Sequence, residues 1–78
     1  MKLSYYKDID EGGFNYYLVE FPTPNSELRE EIQKWCYQLY GEPDRLRTDK
    51  MRWVDYIRLG VIFLSRESDL SLFILRWS

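Results

Sequence analysis

A single amphipathic stretch, NSELREEIQKWCYQLYG from Asn25 to Gly41, leaves few possible folds for this chain. Its apolar residues recur at intervals of three and four, which places them on one side of a helix. The predicted buried stripe consists of Leu28, Ile32, Trp35, Cys36 and Leu39. Gly41 suits the left-handed position after a helix end, and Pro43 prevents continuation. The sequence therefore predicts a helix over residues 25–40 whose stripe must be buried.

Extended segments are predicted on both sides of this helix. Residues 2–9 alternate apolar and polar side chains, and residues 14–21 are rich in aromatic and β-branched residues. The DEGG sequence at 10–13 suits a turn because glycine accepts positive φ angles. The two segments are therefore predicted to form an antiparallel hairpin. Residues 53–65 also indicate extended chain, in which Gly60 marks a bulge or a break between two short strands.

The apolar residues of the segment 66–77 fit a strand as well as a helix. A helix would bring together Leu70, Phe73, Ile74 and Trp77. The helix is preferred because Glu67 and Asp69 would lie in its first turn and Arg76 in its last, as the helix dipole favours. The predicted order of elements is ββαβα, or ββαββ if this segment is a strand.

These segments predict one α+β domain over residues 1–78. Its antiparallel sheet has three or four strands, with the 25–40 helix and the C-terminal helix on one face. A chain of 78 residues is near the lower size limit for a single core, and the 18% content of aromatic residues offsets this. The same aromatic content can leave an exposed apolar patch that favours self-association, so a homodimer is possible.

The chain contains one cysteine and no histidine. Cys36 lies on the buried stripe and is interpreted as a small core residue, because no histidine can activate it. The lack of a disulfide framework favours an intracellular location. Histidine, which the chain lacks, is the commonest general base and the commonest metal ligand. We therefore expect no enzyme activity, metal or cofactor, and apolar runs of four residues predict no membrane span.

Two surfaces are candidate partner-binding sites. Tyr37 is predicted to lie on the polar side of the helix, where an aromatic ring is a candidate contact. The loop after the helix carries four basic side chains just before Trp53: Arg45, Arg47, Lys50 and Arg52. Guanidinium groups beside an aromatic ring can hold phosphates, stack a base or contact an acidic protein.

Two other clusters are interpreted as structural. Carboxylates near the hairpin turn could bind a divalent cation, but flanking glycines are more typical of a plain turn. These carboxylates are Asp8, Asp10 and Glu11. The three tryptophans could line a ligand site, but the favoured interpretation is a core between helix, sheet and C-terminal segment. They are Trp35, Trp53 and Trp77.

Three short motifs follow one another along the chain. They are Trp35-Cys36 followed by Tyr40-Gly41, then Arg52-Trp53, then DLSLFILRW from Asp69. This WCxxx(F/Y)G…RW…DxxxFxLRW pattern, which covers residues 32–78, resembles that of small uncharacterised proteins of tailed bacteriophages. The family more often has phenylalanine where this chain has Tyr40, and a small residue where it has Leu70. The resemblance implies a phage-encoded protein in the host bacterial cytoplasm and supplies no catalytic residue.

The sequence and the resemblance together favour a non-enzymatic phage accessory protein that binds a host protein and modulates or inhibits it. The alternative is a small nucleic-acid-binding module that uses an aromatic sheet face and the arginine-rich loop. The net charge of −2 argues against a protein that binds nucleic acid over its whole surface. A virion assembly component is a third hypothesis.

Overall fold

A computed structural model describes residues 2–9, 12–22, 26–46, 48 and 50–77. They form a four-stranded antiparallel sheet and two α-helices, which confirms the predicted α+β class. The strands are β1 (Ser4–Ile9), β2 (Asn15–Glu20), β3 (Trp53–Tyr56) and β4 (Val61–Leu64). The helices are α1 (Ser26–Tyr40) and α2 (Glu67–Trp77), so the last segment is helical. The strand order is β1-β2-β4-β3, which places β4 inside the sheet although it follows β3 in the chain.

Both helices pack on the same face of the sheet. Alternate strand residues point toward them, including the fully buried Val19, Ile62 and Leu64. The helices add six buried residues to this core: Ile32, Cys36, Tyr40, Leu70, Phe73 and Trp77. The main core therefore lies between one sheet face and the two helices, as the amphipathic patterns predicted.

The predicted stripe of α1 was wrong at Leu39, which is exposed. The buried side of the helix is centred on Ile32, Cys36 and Tyr40, which follow one another at intervals of four. This alignment leaves Leu39 at the rim of the helix face. Tyr40 is held inward because its hydroxyl donates a hydrogen bond of 2.8 Å to the backbone oxygen of Asp69 in α2.

The three tryptophans contribute to the core, which confirms the structural interpretation. Trp53 is fully buried and Trp77 is nearly so, while Trp35 is half-buried and packs against the same cluster. The ring centroids of Trp35 and Trp77 lie 6.0 Å apart, nearly perpendicular to each other. An edge-to-face arrangement of this kind is favoured by the ring quadrupoles. It joins the two helices side by side above the sheet.

Gly60 separates two short strands, which is one of the two predicted alternatives. A 3₁₀ turn over Ile57–Leu59 follows β3 and ends at Gly60, whose φ of 74° lies in the left-handed region. Glycine suits this position because it has no Cβ to clash there. The Gly60 carbonyl oxygen accepts a hydrogen bond of 2.9 Å from the Phe21 amide. This bond ties the turn to the end of β2.

Candidate functional site

The second face of the sheet is also apolar, although neither helix of the described residues packs on it. We call it the open face. It carries a second cluster of buried residues, Tyr16, Met51, Val54 and Phe63. The strand residues on this face, from their alternation and pairing, are Ser4, Tyr6, Asp8, Tyr16, Leu18, Glu20, Val54, Tyr56, Val61 and Phe63. The sheet therefore has apolar side chains on both faces.

Four aromatic rings form a row across the open face. The rings of Phe14 and Tyr16 are 6.0 Å apart, and Tyr16 meets the edge of Phe63 at 5.7 Å. Phe63 in turn meets Tyr56 at 5.5 Å. The Tyr16 hydroxyl donates a 3.2 Å hydrogen bond to the Asp8 carboxylate. The row is thus held in place by ring contacts on β2, β4 and β3, and it is anchored to β1.

An apolar groove lies at one end of this row. Its volume is about 320 Å³, and its lining is Leu18, Tyr56, Leu59, Val61 and Phe63. Leu59, in the 3₁₀ turn, is 77% exposed, and Tyr56 is also exposed. An exposed leucine beside other apolar side chains costs solvation free energy that a partner surface could recover. Because its lining consists of aliphatic and aromatic side chains, this groove is a candidate binding surface.

A larger groove runs along the outer edge of β3, and we call it the edge groove. It has a volume of about 480 Å³ and brings together two of the predicted site residues, Tyr37 and Arg45. The remaining lining residues are Glu42, Pro43, Asp44, Val54, Asp55 and Tyr56. The lining therefore contains three carboxylates and one guanidinium group. The loop predicted to be basic contributes to a groove that is acidic on balance.

Two of the three carboxylates of the edge groove, Asp44 and Asp55, accept hydrogen bonds within the chain. Asp55 accepts hydrogen bonds from the Gln33 side chain at 2.8 Å and from the Ile57 amide at 3.0 Å. The Asp44 carboxylate accepts a 2.8 Å hydrogen bond from the Arg52 amide. The backbone of Asp44 also forms an isolated parallel β-bridge with Val54. These bonds fix the walls of the groove and tie the loop to β3.

Arg52 is engaged inside the protein. Its Nε and Nη2 donate to the two carboxylate oxygens of Asp69 at 3.2 and 3.4 Å, and Asp69 is buried. The guanidinium also lies 5.6 Å from the ring centroid of Tyr40. The hydrogen bond to Asp69 raises the pKa of Arg52 above its ordinary value. Its predicted role in partner binding therefore competes with an internal ion pair.

The other predicted residues do not extend the site. Lys50 is exposed, and its amide donates to the Thr48 hydroxyl at 3.3 Å. Arg47 lies outside the described residues, as do Asp10 and Glu11 of the hairpin turn. Within the described ranges, no group of three or more cysteine, aspartate or glutamate side chains could hold a metal ion.

The residues that the sequence interpretation missed are those of the apolar groove, above all Tyr56 and Leu59. A signal for the open face is present in the sequence. In VIFL at 61–64 and in YYLV at 16–19, the odd-numbered and the even-numbered residues are both apolar. This pattern is typical of strands that are buried on both faces. Leu59 itself has no such signal, because its exposure depends on the 3₁₀ turn.

No protein family, curated protein or solved structure matches this chain. Among the described residues, neither helix has the length and apolar character needed to cross a membrane.

Stability is expected to fall as the pH rises above about 9, because two buried groups resist ionisation. Burial, with a contribution from the charge of Asp55, raises the pKa of the Cys36 thiol from 9.0 to about 12. Burial also raises the pKa of the Tyr40 phenol above 10.0. Both groups ionise at lower pH in the unfolded chain, so unfolding releases protons. The stabilisation is complete below pH 9 and is lost toward pH 12.

Urea unfolding followed over a pH series up to about pH 11 measures this loss, and Cys36→Ala provides the comparison. The substitution leaves a cavity and so lowers the free energy of unfolding at neutral pH. Above pH 9 the free energy of unfolding should fall less steeply with pH in Cys36→Ala, by up to about 1.4 kcal/mol per pH unit. Equal slopes in the two proteins would contradict the assignment to Cys36.

Proposed function

We propose that this protein is a non-enzymatic binding module that attaches to another protein through its open face. The resemblance to phage proteins implies that the target belongs to the bacterial host, and the proposed outcome is modulation or inhibition of that target. One observation carries the proposal: the apolar groove leaves Leu59 and Tyr56 exposed beside a row of fixed aromatic rings. Contiguous apolar surface of this kind is typical of protein interfaces.

The neighbouring edge groove indicates the chemistry of the partner. Tyr56 lines both grooves, so a single partner surface can cover them together. The lining of the edge groove includes Glu42, Asp44 and Asp55, with Arg45 as its one basic residue. The complementary partner places aliphatic or aromatic side chains in the apolar groove and a basic side chain beside the edge groove. Tyr37, at the rim of the edge groove, supplies an aromatic contact.

The charges of the open face support a protein partner over nucleic acid. Asp8 and Glu20 are the ionisable carboxylates of its strand residues, and those strand residues include no lysine or arginine. Phosphate binding depends on lysine and arginine, because the affinity comes largely from counterion release. Arg52, a member of the proposed arginine-rich loop, is paired with Asp69. The aromatic row alone offers stacking without charge neutralisation.

The test begins with affinity capture from bacterial lysate, with and without nuclease, and continues with the captured protein in purified form. Leu59→Asp is the test variant and Leu75→Asp is its matched control, since the two leucines are 77% and 81% exposed. Burying a leucine is worth about 1.5–3 kcal/mol, so Leu59→Asp should weaken binding at least about tenfold. Leu75→Asp on α2 should leave the affinity unchanged.

Two outcomes would contradict the proposal. Equal affinities for Leu59→Asp and the parent protein would move the interface away from the open face. Capture of nucleic acid alone, with every protein lost after nuclease treatment, would favour the nucleic-acid alternative. In that event, binding of single-stranded DNA or RNA should decrease steeply with salt.

A further inference from the structure

Strand β1 forms an outer edge of the sheet. All six of its residues, Ser4–Ile9, are exposed, and the described residues pair only with its β2 side. An edge strand presents backbone N–H and C=O groups that lack a neighbouring strand. β1 contains no proline and carries the exposed apolar side chains Tyr5, Tyr6 and Ile9. It is therefore suited to pairing with another strand.

We propose that β1 pairs in antiparallel fashion with β1 of a second copy of this chain, forming a homodimer with a continuous eight-stranded sheet. The proposal is independent of the proposed function, because it concerns the opposite edge of the sheet from the edge groove. The two-fold axis of such a pair is perpendicular to the sheet, so the helix-bearing faces of both copies lie on the same side. Opposed residues must then share a face.

Only a few registers satisfy this condition, and the side chains favour one of them. In the favoured register, Tyr6 lies opposite Tyr6 of the second copy on the open face. Moving the axis one residue onward would oppose Lys7 to Lys7, which is unfavourable. Moving it one residue back to Tyr5 would leave Asp8 and Ile9 beyond the paired region. The favoured register pairs the most residues without opposing like charges.

The same register is complementary in charge and hydrogen bonding. Ser4 lies opposite Asp8 of the second copy, so its hydroxyl can donate to that carboxylate. Asp8 also accepts a 3.2 Å hydrogen bond from the Tyr16 hydroxyl of its own copy, which holds the carboxylate on the open face. Lys7 lies opposite Tyr5, where its alkyl chain can cover the ring while its charge remains in water. Each charged residue of the strand thereby has a compatible neighbour.

The homodimer is expected to be concentration-dependent, because a six-residue edge buries less than the standard interface area of about 1,600 Å². Sedimentation equilibrium of the full chain should show the monomer mass doubling as concentration rises. Tyr6→Lys places two ammonium groups at the axis and should abolish the dimer. Leu75→Lys is the control, since Leu75 is also exposed and lies on α2. A monomer at every concentration up to about 1 mM would overturn the proposal.

Disulfide crosslinking tests the register separately. Opposed residues at the axis lie about 4.5–5.5 Å apart, so a Tyr6→Cys variant should form an intermolecular disulfide rapidly on mild oxidation. The Tyr5→Cys and Lys7→Cys variants should crosslink at least about tenfold more slowly. The native Cys36 is buried and should not contribute. Faster crosslinking of Lys7→Cys, or equal rates for all three variants, would overturn the proposed register.

Discussion

Replacing Trp53 by alanine is expected to leave much of the protein unfolded at 25 °C. The side chain is fully buried, and its indole N–H donates a 3.0 Å hydrogen bond to the Gly41 carbonyl oxygen. Its ring also meets those of Tyr37 and Tyr40 at 5.4 and 5.9 Å. Removing a buried tryptophan costs about 3–5 kcal/mol, which is comparable with the whole stability of a domain this small.

Urea unfolding followed by far-ultraviolet circular dichroism measures the free energy of unfolding of each variant. Trp53→Phe keeps most of the ring volume and should lose less stability than Trp53→Ala. Trp35→Ala provides a second comparison, because Trp35 is half-buried and should lose less than Trp53. A loss below about 1 kcal/mol for Trp53→Ala would show that the ring does not support the core as described.

The second large effect is expected from breaking the ion pair between Arg52 and Asp69. Arg52→Ala leaves the Asp69 carboxylate buried, with a side chain only 5% exposed, and without its guanidinium partner. Breaking a buried pair in this way costs about 3–5 kcal/mol, and the 38% exposure of Arg52 reduces the expectation to about 2–3 kcal/mol. The position of Asp69 in the first turn of α2 gives its charge some remaining stabilisation.

A double-mutant cycle isolates the pairwise contribution. The four proteins are the parent, Arg52→Ala, Asp69→Asn and the double variant, and the two residues should show a coupling free energy of at least about 1 kcal/mol. Arg45→Ala is the control for removing an arginine from the same loop. It should change stability by less than about 0.5 kcal/mol, because Arg45 is exposed. A coupling free energy near zero would contradict a stabilising interaction between Arg52 and Asp69.

The elements that the sequence predicted correctly have local signals. The helix near 25–40 has an apolar period and a glycine at its end, and the break at Gly60 follows from a residue that accepts positive φ. The choice of helix for 66–77 depended on carboxylates at one end and Arg76 at the other. Each of these signals lies within a few residues of the structure that it determines.

The features that the sequence did not predict depend on contacts between distant segments. The buried side of α1 includes Tyr40 in place of Leu39 because Tyr40 reaches the backbone of Asp69. Arg52 belongs to a loop with other basic residues, yet its partner lies on α2. The acidic balance of the edge groove likewise requires Asp55 from β3 beside the loop. Spacing along the chain carries no information on such pairings.

The position of β4 affects the way in which the chain is assembled during synthesis. The β1–β2 hairpin is made first, but the inner partner of β2 is β4, which pairs Tyr17 with Leu64. Until β4 is made, the nascent hairpin displays Val19 without a neighbouring strand or a core. A contact between such distant residues slows folding, because a long loop must close before the contact is formed. Exposed apolar surface and an unpaired strand edge therefore make the unfinished hairpin prone to aggregation.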